Sequence, residues 1–289
     1  MAEPEVTRFA PSPTGDLHLG HAYAALFAHD AARATAGRFL VRMENLDQAR
    51  CETRLEAGIL SDLAWLGLAW DGPVRRQSDC MGAYRAALDA LTALGVVYPC
   101  FCTRGAIARE IEAMAGAPQG PDGPLYPGTC RQLPAAERRA RLAGGFAHAL
   151  RLDVAAAIAG LAAPALRFEE TGRGPAGENG PVAVQPALLG DIVLGRRDTG
   201  VSYHLAVVVD DADQGITLVT RGDDLFAATH VQRLLQALLG LPVPRYRHHP
   251  LIRDAQGRRL AKRDRDQTLA SLRAAGLTPA DIRRRLGLG

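Results

Sequence analysis

The feature that most constrains the fold is a short stretch near the start of the chain, residues 8–21. A β-prone run over residues 6–10 stops at two prolines and a glycine, and an alanine-rich helical run over residues 22–36 follows. Proline cannot extend a strand ladder and glycine permits a tight turn, so the pattern predicts a strand, a loop and a helix. His18 and His21 are three residues apart and share one helix face, while Gly20 permits close approach of a ligand. A loop leading into a helix N-terminus predicts an anion site, because its N–H groups face phosphate.

Strand and helix patterns alternate in the first hundred residues and again after residue 200. Apolar runs predict strands at residues 39–43, 96–101, 201–209 and 215–220, and apolar periodicity predicts helices at residues 52–66, 81–94 and 229–239. This alternation indicates an α/β fold with a parallel sheet, in which ligands bind beyond the C-terminal ends of the strands. Glu44 and Arg221 are polar candidates there, although a solvated turn residue and a surface ion pair are the simpler explanations. Tyr203 lies within the predicted strand 201–209, where a core aromatic is the simpler explanation.

Composition bounds the class of protein. The chain has 289 residues, 47% of them hydrophobic and 22% charged, which describes a soluble globular protein of one or two domains. No apolar run approaches the ~20 residues needed to span a bilayer, and no secretory signal opens the chain. Five unevenly spread cysteines argue against a disulfide framework. We therefore expect a cytoplasmic protein with no membrane partner, and a monomer.

Lysine and arginine together account for 34 residues of the chain, and Lys262 is the single lysine among them. A position that keeps lysine where arginine is used everywhere else indicates a need for a compact, mobile ammonium group. It lies in residues 253–265, a segment with six basic residues. Such a cluster suits a phosphate-rich partner, although a solvated helix face has the same composition.

Cys100, Cys102 and Cys130 form the second candidate site. Two thiols one residue apart cannot easily bridge each other, and a third thiol 28 residues later suits a tetrahedral thiolate site. Three unremarkable free or buried cysteines remain the alternative. Cys51 and Cys80 have the character of ordinary helix residues.

Two of these stretches resemble the signatures of a known family, the class I aminoacyl-tRNA synthetases. Residues 8–21 resemble the HIGH signature, and RFAPSPTG at residues 8–15 has the form used by the glutamyl and glutaminyl branch. Residues 257–264, GRRLAKRD, resemble the KMSKS loop. The resemblance implies a Rossmann-type catalytic domain over residues 1–99 and 201–252, an insertion subdomain over 100–200, and a KMSKS-like loop with short C-terminal helices over 253–289.

The resemblance also implies ATP-dependent activation of L-glutamate to glutamyl-adenylate, with Mg²⁺ accompanying ATP. It assigns catalysis to His18, His21 and Lys262, and ATP binding to the same three residues with Gly20. It assigns the glutamate pocket to Arg8, Phe9, Ala10, Pro11, Ser12, Glu44, Tyr203 and Arg221. Asn45 departs from the acid usual there, and Arg259 and Ala261 depart from the usual Lys-Leu-Ser-Lys pattern.

A narrower resemblance covers essentially the whole chain, to the glutamyl-Q tRNA(Asp) synthetases. They carry a structural zinc site of the pattern Cys-x-Cys…Tyr-x-x-x-Cys, which falls here on Cys100, Cys102, Tyr126 and Cys130, with His148 as the alternative fourth ligand. They lack the anticodon-binding domain of full-length glutamyl-tRNA synthetases, and we expect none here. The implied reaction is transfer of glutamate to the queuosine base in the anticodon loop of tRNA(Asp).

Three alternatives remain at this point. One is a compact glutamyl-tRNA synthetase that charges the tRNA 3′ end. Another is a non-catalytic paralogue that binds tRNA or nucleotide, and the third is a nucleotidyltransferase that acts on a small molecule.

Overall fold

A computed structural model describes residues 3–114, 117–121, 123–161, 165–252 and 268–288. The strands of these residues are Val6–Phe9 (β1), Arg38–Met43 (β2), Arg75–Arg76 (β3), Val97–Cys100 (β4), Gln119–Gly120 (β5), Gly123–Pro124 (β6), Ala149–Leu152 (β7), Arg167–Glu170 (β8), Gly180–Ala183 (β9), Val193–Gly195 (β10), Leu218–Gly222 (β11) and Arg245–His249 (β12). The α-helices are Leu19–Arg33 (α1), Thr53–Trp65 (α2), Met81–Ala93 (α3), Arg104–Ala113 (α4), Ala135–Ala143 (α5), Val154–Ala159 (α6), Tyr203–Asp213 (α7), Phe226–Leu239 (α8), Leu269–Ala274 (α9) and Pro279–Arg285 (α10).

The main sheet is parallel, as the alternating pattern predicts. Strand β1 pairs in parallel with β2, β2 with β3, β11 with β12, and β12 with β8. A backbone hydrogen bond of 3.0 Å from Thr217 N to Val6 O joins the start of β11 to β1. The predicted class, an α/β parallel sheet with helices, is therefore confirmed, and the C-terminal ends of β1, β2 and β11 lie along one edge.

The two largest apolar clusters of the described residues pack helices in two different places, one of them on the main sheet. One packs α1 and α2 on β1 and β2 and includes Leu26, Phe39 and Leu63. Leu269 and Ile282 of the C-terminal helices belong to the same core and are fully buried. The other core packs α3, α7 and α8 together with β7 and β10, which places α7 in its interior.

The segment predicted to be the strand 201–209 is helical, so that prediction is wrong. Strand β11 follows the helix α7. Seven of the eleven residues of α7 are buried, including Val207, Val208 and Val209. A helix that is buried on nearly all sides has no polar face, and a run of β-branched residues without helical periodicity has the pattern of a buried strand.

Strand β4 forms where residues 96–101 predict it, but it lies outside the parallel sheet. It pairs antiparallel with β7, and β7 pairs antiparallel with β10. The helix α3 before it buries Tyr84 and Leu91 in the same core as Leu152 of β7 and Leu194 of β10. That packing holds the chain in a second, antiparallel layer.

The segment between β4 and α7 contributes to both sheets. Strand β8 adds to the main sheet beside β12, and β9 pairs antiparallel with β8 at its edge. None of the helices in the described ranges is long and apolar enough to cross a bilayer.

Candidate active site

The loop between β1 and α1 is fixed to the end of β2 and to the start of α2 by backbone hydrogen bonds. Glu44 N donates to Pro11 O at 2.9 Å, and Glu52 N donates to Pro13 O at 3.3 Å. Phe9 is buried in the apolar core, Pro11 is buried, and Ala10 is half-buried, whereas Ser12 is exposed. The carbonyl groups of the two prolines thus join the loop to both neighbouring elements.

The two histidines of this loop cap the helix α1. Gly20 N donates to His18 Nδ1 at 3.1 Å, and His18 N donates to His21 Nδ1 at 3.2 Å, with the ring centroids 3.9 Å apart. Each Nδ1 accepts a hydrogen bond, so each neutral ring carries its proton on Nε2. A Cβ added at Gly20 would lie 3.0 Å from His18 Cε1, so the His18 ring would have to shift by a few tenths of an ångström to admit a side chain there. Two Nε2–H donors and a helix N-terminus make an arrangement suited to phosphate oxygens.

Thr268, three residues after the basic segment 253–265, contacts this site. It forms an isolated antiparallel bridge with His18, and Leu269 N donates to Leu17 O at 2.8 Å. Lys262, with Arg259 and Ala261, lies outside the described residues.

Arg8 is positioned by a buried ion pair. Its Nε donates to Asp211 Oδ1 at 3.0 Å, and its Nη1 donates to Thr220 O at 3.1 Å. Arg42, whose side chain is fully buried in the middle of β2, donates to the same Asp211 oxygen at 2.7 Å. Sequence reasoning missed both Arg42 and Asp211. An arginine inside the apolar strand Phe-Leu-Val-Arg-Met is the signal that could have found the pair, since a buried guanidinium requires buried acids.

Glu44 extends this network at the end of β2. Its carboxylate lies 3.6 Å from Arg42 Nη2. Burial raises the pKa of Glu44 to about 7, and the charges of Arg42 and Arg8 offset only part of that effect. A carboxylate that is poorly satisfied inside the protein is suited to bind a cation such as an ammonium group.

Arg221 lies at the end of β11 and is also buried, but its partners are neutral. It donates to Thr229 Oγ1 at 2.6 Å, to Gln232 Oε1 at 2.7 Å and to His248 Nε2 at 3.2 Å. No carboxylate lies within ion-pair distance of Arg221 in the part of the chain that the structure describes. A buried guanidinium with neutral partners favours an anionic ligand.

Tyr203 is the first residue of α7, and the charges of Arg221, Glu44 and Arg8 act on its hydroxyl. Burial raises the pKa of its hydroxyl, and the positive charges of Arg221 and Arg8 oppose that rise. The predicted glutamate residues Arg8, Glu44, Tyr203 and Arg221 are thus brought to one edge of the sheet. Two guanidinium groups and one carboxylate are the complement of a substrate with two carboxylates and one ammonium.

The three predicted thiols form a cluster at the end of β4. The sulfur atoms of Cys100, Cys102 and Cys130 lie within 4.8 Å of one another, and no other group of metal-ligand residues of this kind occurs in the described ranges. Tyr126 Oη lies 3.4 Å from Cys100 Sγ and 3.6 Å from Cys102 Sγ. Tetrahedral Zn–S bonds of ~2.3 Å would separate two sulfurs by about 3.8 Å, so these spacings fit one metal ion.

Hydrogen bonds around the thiols favour a thiolate at Cys130. Burial alone raises its pKa, but donation from Phe101 N at 3.2 Å and from the Tyr126 hydroxyl outweighs burial, and the pKa is lowered. Burial raises the pKa of Cys102 to about 11. His148, the alternative fourth ligand, hydrogen-bonds to Phe146 O through Nδ1 at 3.0 Å, and it is absent from the cluster.

Solved structures share this fold. The chain matches a glutamate tRNA ligase from Elizabethkingia meningosepticum, solved in complex with its amino acid, with a TM-score of 0.74 and 28% identity. The match covers 91% of this chain and 53% of the ligase, so the chain spans about half the length of that protein. Methionyl-tRNA synthetase from Mycobacterium tuberculosis matches over 99% of this chain and 64% of its own, with a TM-score of 0.57 and 14% identity, a likeness of fold. The fold and the histidine-capped loop define a class I synthetase catalytic domain.

Sequence comparison narrows the class. The chain belongs to the family described as tRNA synthetases class I (E and Q), catalytic domain, whose model matches residues 5–288. A glutamyl-Q tRNA(Asp) synthetase from Rhodobacter capsulatus is 54% identical over 98% of this chain and 100% of its own length. The protein of the same name from Nocardia farcinica is 46% identical over 95% of this chain and 81% of its own length. The chain is therefore a ligase of this class, and the findings support an activity of the glutamate–tRNA ligase type.

Proposed function

We propose that this protein activates L-glutamate with ATP and transfers the glutamyl group to the queuosine base in the anticodon loop of tRNA(Asp). The observation that carries the proposal is the match to a glutamyl-Q tRNA(Asp) synthetase at 54% identity over that relative's whole length. The geometry supports the first half: the histidine site at the start of α1 and the Arg8, Glu44, Tyr203 and Arg221 set lie along one sheet edge.

In the first step the α-carboxylate of glutamate attacks the α-phosphorus of ATP in line. An O–P bond forms, the bond to the β-phosphate bridge breaks, and pyrophosphate leaves. Negative charge builds on the phosphates, so positioning and electrostatic stabilisation dominate catalysis. His18 and His21 donate through Nε2–H, the start of α1 adds its N–H groups, and Lys262 adds an ammonium group from the segment that ends at Thr268.

Glu44 holds the α-ammonium of glutamate, and the guanidinium groups of Arg8 and Arg221 hold its side-chain carboxylate beside Tyr203. Mg²⁺ enters with ATP and neutralises phosphate charge. Zn²⁺ fits the Cys100, Cys102, Tyr126 and Cys130 set as a structural ion, since a site with four protein ligands is closed. Cysteines that form no disulfide in the described residues fit a reducing, cytoplasmic compartment.

The test is transfer of labelled glutamate, with ATP and Mg²⁺, to two samples of bulk tRNA. One sample comes from cells that make queuosine and the other from cells that cannot. We expect label on the queuosine-containing sample alone. Label on both samples would indicate charging of the 3′ end, and label on neither, with no ATP consumed, would indicate a non-catalytic paralogue.

A further inference from the structure

The N-terminus of α7 opens into a cavity of about 860 Å³ whose described lining does not include His18, Gly20 or His21. Ser202, Tyr203 and His204 form one wall. Cys102 and Tyr126 of the thiol cluster lie on the cavity's lining as well. The cavity therefore adjoins both the glutamate pocket, through Tyr203, and the thiol cluster.

Ser202 is the N-cap residue of α7, but its side chain makes no capping hydrogen bond. An N-cap serine ordinarily accepts a hydrogen bond from an N–H of the first turn. Ser202 is 6% exposed, and its Oγ has no hydrogen-bond partner among the described residues. A buried hydroxyl without a partner costs about 1–3 kcal/mol, so a polar ligand in the cavity would recover that loss.

The first-turn N–H groups of a helix have no partner inside it and carry the positive end of its dipole. In α7 two of these groups belong to Tyr203 and His204, which line the cavity, and the Ser202 side chain does not cap them. His204 adds no charge at neutral pH, because burial and the charge of Arg221 lower its pKa to about 4. The start of α7 is therefore an anion-binding arrangement with an additional hydroxyl.

The remaining charges of the cavity agree with an anion. Its two acids are neutralised: Asp198 Oδ2 lies 2.7 Å from Arg196 Nη2, and Asp191 Oδ2 lies 2.9 Å from Arg131 Nη1. Arg197 donates to carbonyl oxygens of Cys100 and Cys102 at 3.2 Å. In the described ranges neither Arg197 nor Arg104, both on the lining, has a carboxylate within ion-pair distance.

We propose that this cavity binds a phosphodiester group of the acceptor RNA, between Ser202 at the start of α7 and the guanidinium groups of Arg104 and Arg197. The inference rests on the proposed function, because an RNA acceptor supplies the phosphate. The phosphates of ATP have their own site at α1, whose His18, Gly20 and His21 do not line this cavity. An RNA strand anchored here has its acceptor group directed to Tyr203 and the glutamate pocket.

Ser202→Asp and Ser202→Asn form a matched pair for the test. Asp and Asn are both favourable N-cap residues of the same shape, so both variants should unfold at least at the wild-type temperature. Only Asp places a negative charge where the phosphate binds. We expect Ser202→Asp to bind bulk tRNA, measured by fluorescence anisotropy at low salt, about tenfold more weakly than Ser202→Asn. Equal affinities of the two variants would overturn the proposal.

Arg104→Gln tests the opposite wall, with Arg54→Gln as its control on an exposed arginine of α2. We expect Arg104→Gln to lower tRNA affinity about threefold to tenfold and to reduce the salt dependence by about one phosphate contact, with no change in the control.

Saturable binding of inorganic phosphate that is lost in Ser202→Asp, together with unaltered tRNA binding, would make this a site for free phosphate and overturn the assignment to RNA. Glutamate-dependent ATP–pyrophosphate exchange by the wild type, without RNA, tests the proposed activation separately from this inference.

Discussion

At the scale of single residues, Glu44 shows how burial prepares a charged group for its ligand. Its pKa is raised to about 7, so the ligand-free site is half protonated near neutral pH. In the unfolded chain the pKa of Glu44 is near its usual value of 4.5. The free energy of unfolding therefore falls as the pH rises from about 4.5 to about 7. A substrate ammonium beside the carboxylate removes that penalty.

Glutamate binding should accordingly depend on pH through Glu44. Because the ionised carboxylate holds the ammonium, we expect the KM for glutamate in ATP–pyrophosphate exchange to rise about tenfold as the pH falls from about 8 to 6. In Glu44→Gln the KM should be high and independent of pH over that range.

Glu52→Gln, on an exposed carboxylate close in sequence, is the control and should follow the wild-type profile. A wild-type KM that stays flat over the same range would contradict the role assigned to Glu44.

At the scale of elements, the contact between β8 and β12 joins the middle of the chain to the main sheet. His248 of β12 and Glu170 of β8 are fully buried, with Nδ1 and Oε2 2.5 Å apart. Glu170 also accepts from the backbone N of His248 at 3.0 Å and of Gly172 at 2.8 Å. Since His248 also accepts from Arg221, the strand pairing and the proposed glutamate pocket share one hydrogen-bond network.

Glu170→Ala should therefore destabilise the protein strongly. It leaves two backbone N–H groups and a buried ring nitrogen without their acceptor, and we expect a loss of about 3–5 kcal/mol in the free energy of unfolding, measured with urea. Glu169→Ala, on the exposed face of the same strand, is the matched control and should change the free energy by less than about 0.5 kcal/mol. Equal effects of the two substitutions would show that the buried network contributes little.

Elements with a clear periodicity were predictable from the sequence, and those without one were not. The helix α2 has a helical apolar repeat and the strand β2 is a short, mostly apolar run, and the structure confirms both within one residue at each end. The helix α7 was assigned as a strand because its buried valines remove the polar face on which helical periodicity depends. Strand β8, which contains Glu169 and Glu170, carries too little apolar alternation to be recognised, and its place beside β12 is a tertiary effect.

The candidate site residues also divide into those that the sequence predicts and those that it does not. Paired histidines, clustered thiols and polar residues after strands are local patterns, so they could be found without a structure. Arg42, Asp211 and Ser202 were missed because their importance depends on which distant group is buried beside them. For Ser202 no signal exists in the sequence, since an N-cap serine is ordinary until its side chain is found without a partner.

At the scale of the whole molecule, the thiol cluster is connected to the core through β4. Cys100 ends that strand, and Tyr98 within it donates to Asp191, which also accepts from Val154 N. A metal ion that holds Cys100 and Cys130 together would restrain the antiparallel layer from one end. Metal binding adds to folding stability when the unfolded chain lacks a formed site.

Removal of the metal should therefore lower the stability of the entire protein. We expect Cys130→Ser to lose bound zinc, measured by elemental analysis, and to unfold at a temperature several degrees lower, as a chelator should do to the wild type. Cys51→Ser, outside the cluster, should keep both the zinc and the unfolding temperature. A metal-free wild type with the unfolding temperature of the metal-loaded protein would contradict the structural role.

The ion pair of Arg8 with Asp211 and the contact of β1 with β11 join positions 203 and 211 residues apart along the chain. Closing loops of that length costs entropy before any contact is gained, so such contacts form late in folding. The proposed glutamate pocket is consequently absent from any intermediate that has only its local helices and hairpins. Recovery of catalysis during refolding therefore reports completion of the chain topology, whereas recovery of helical signal does not.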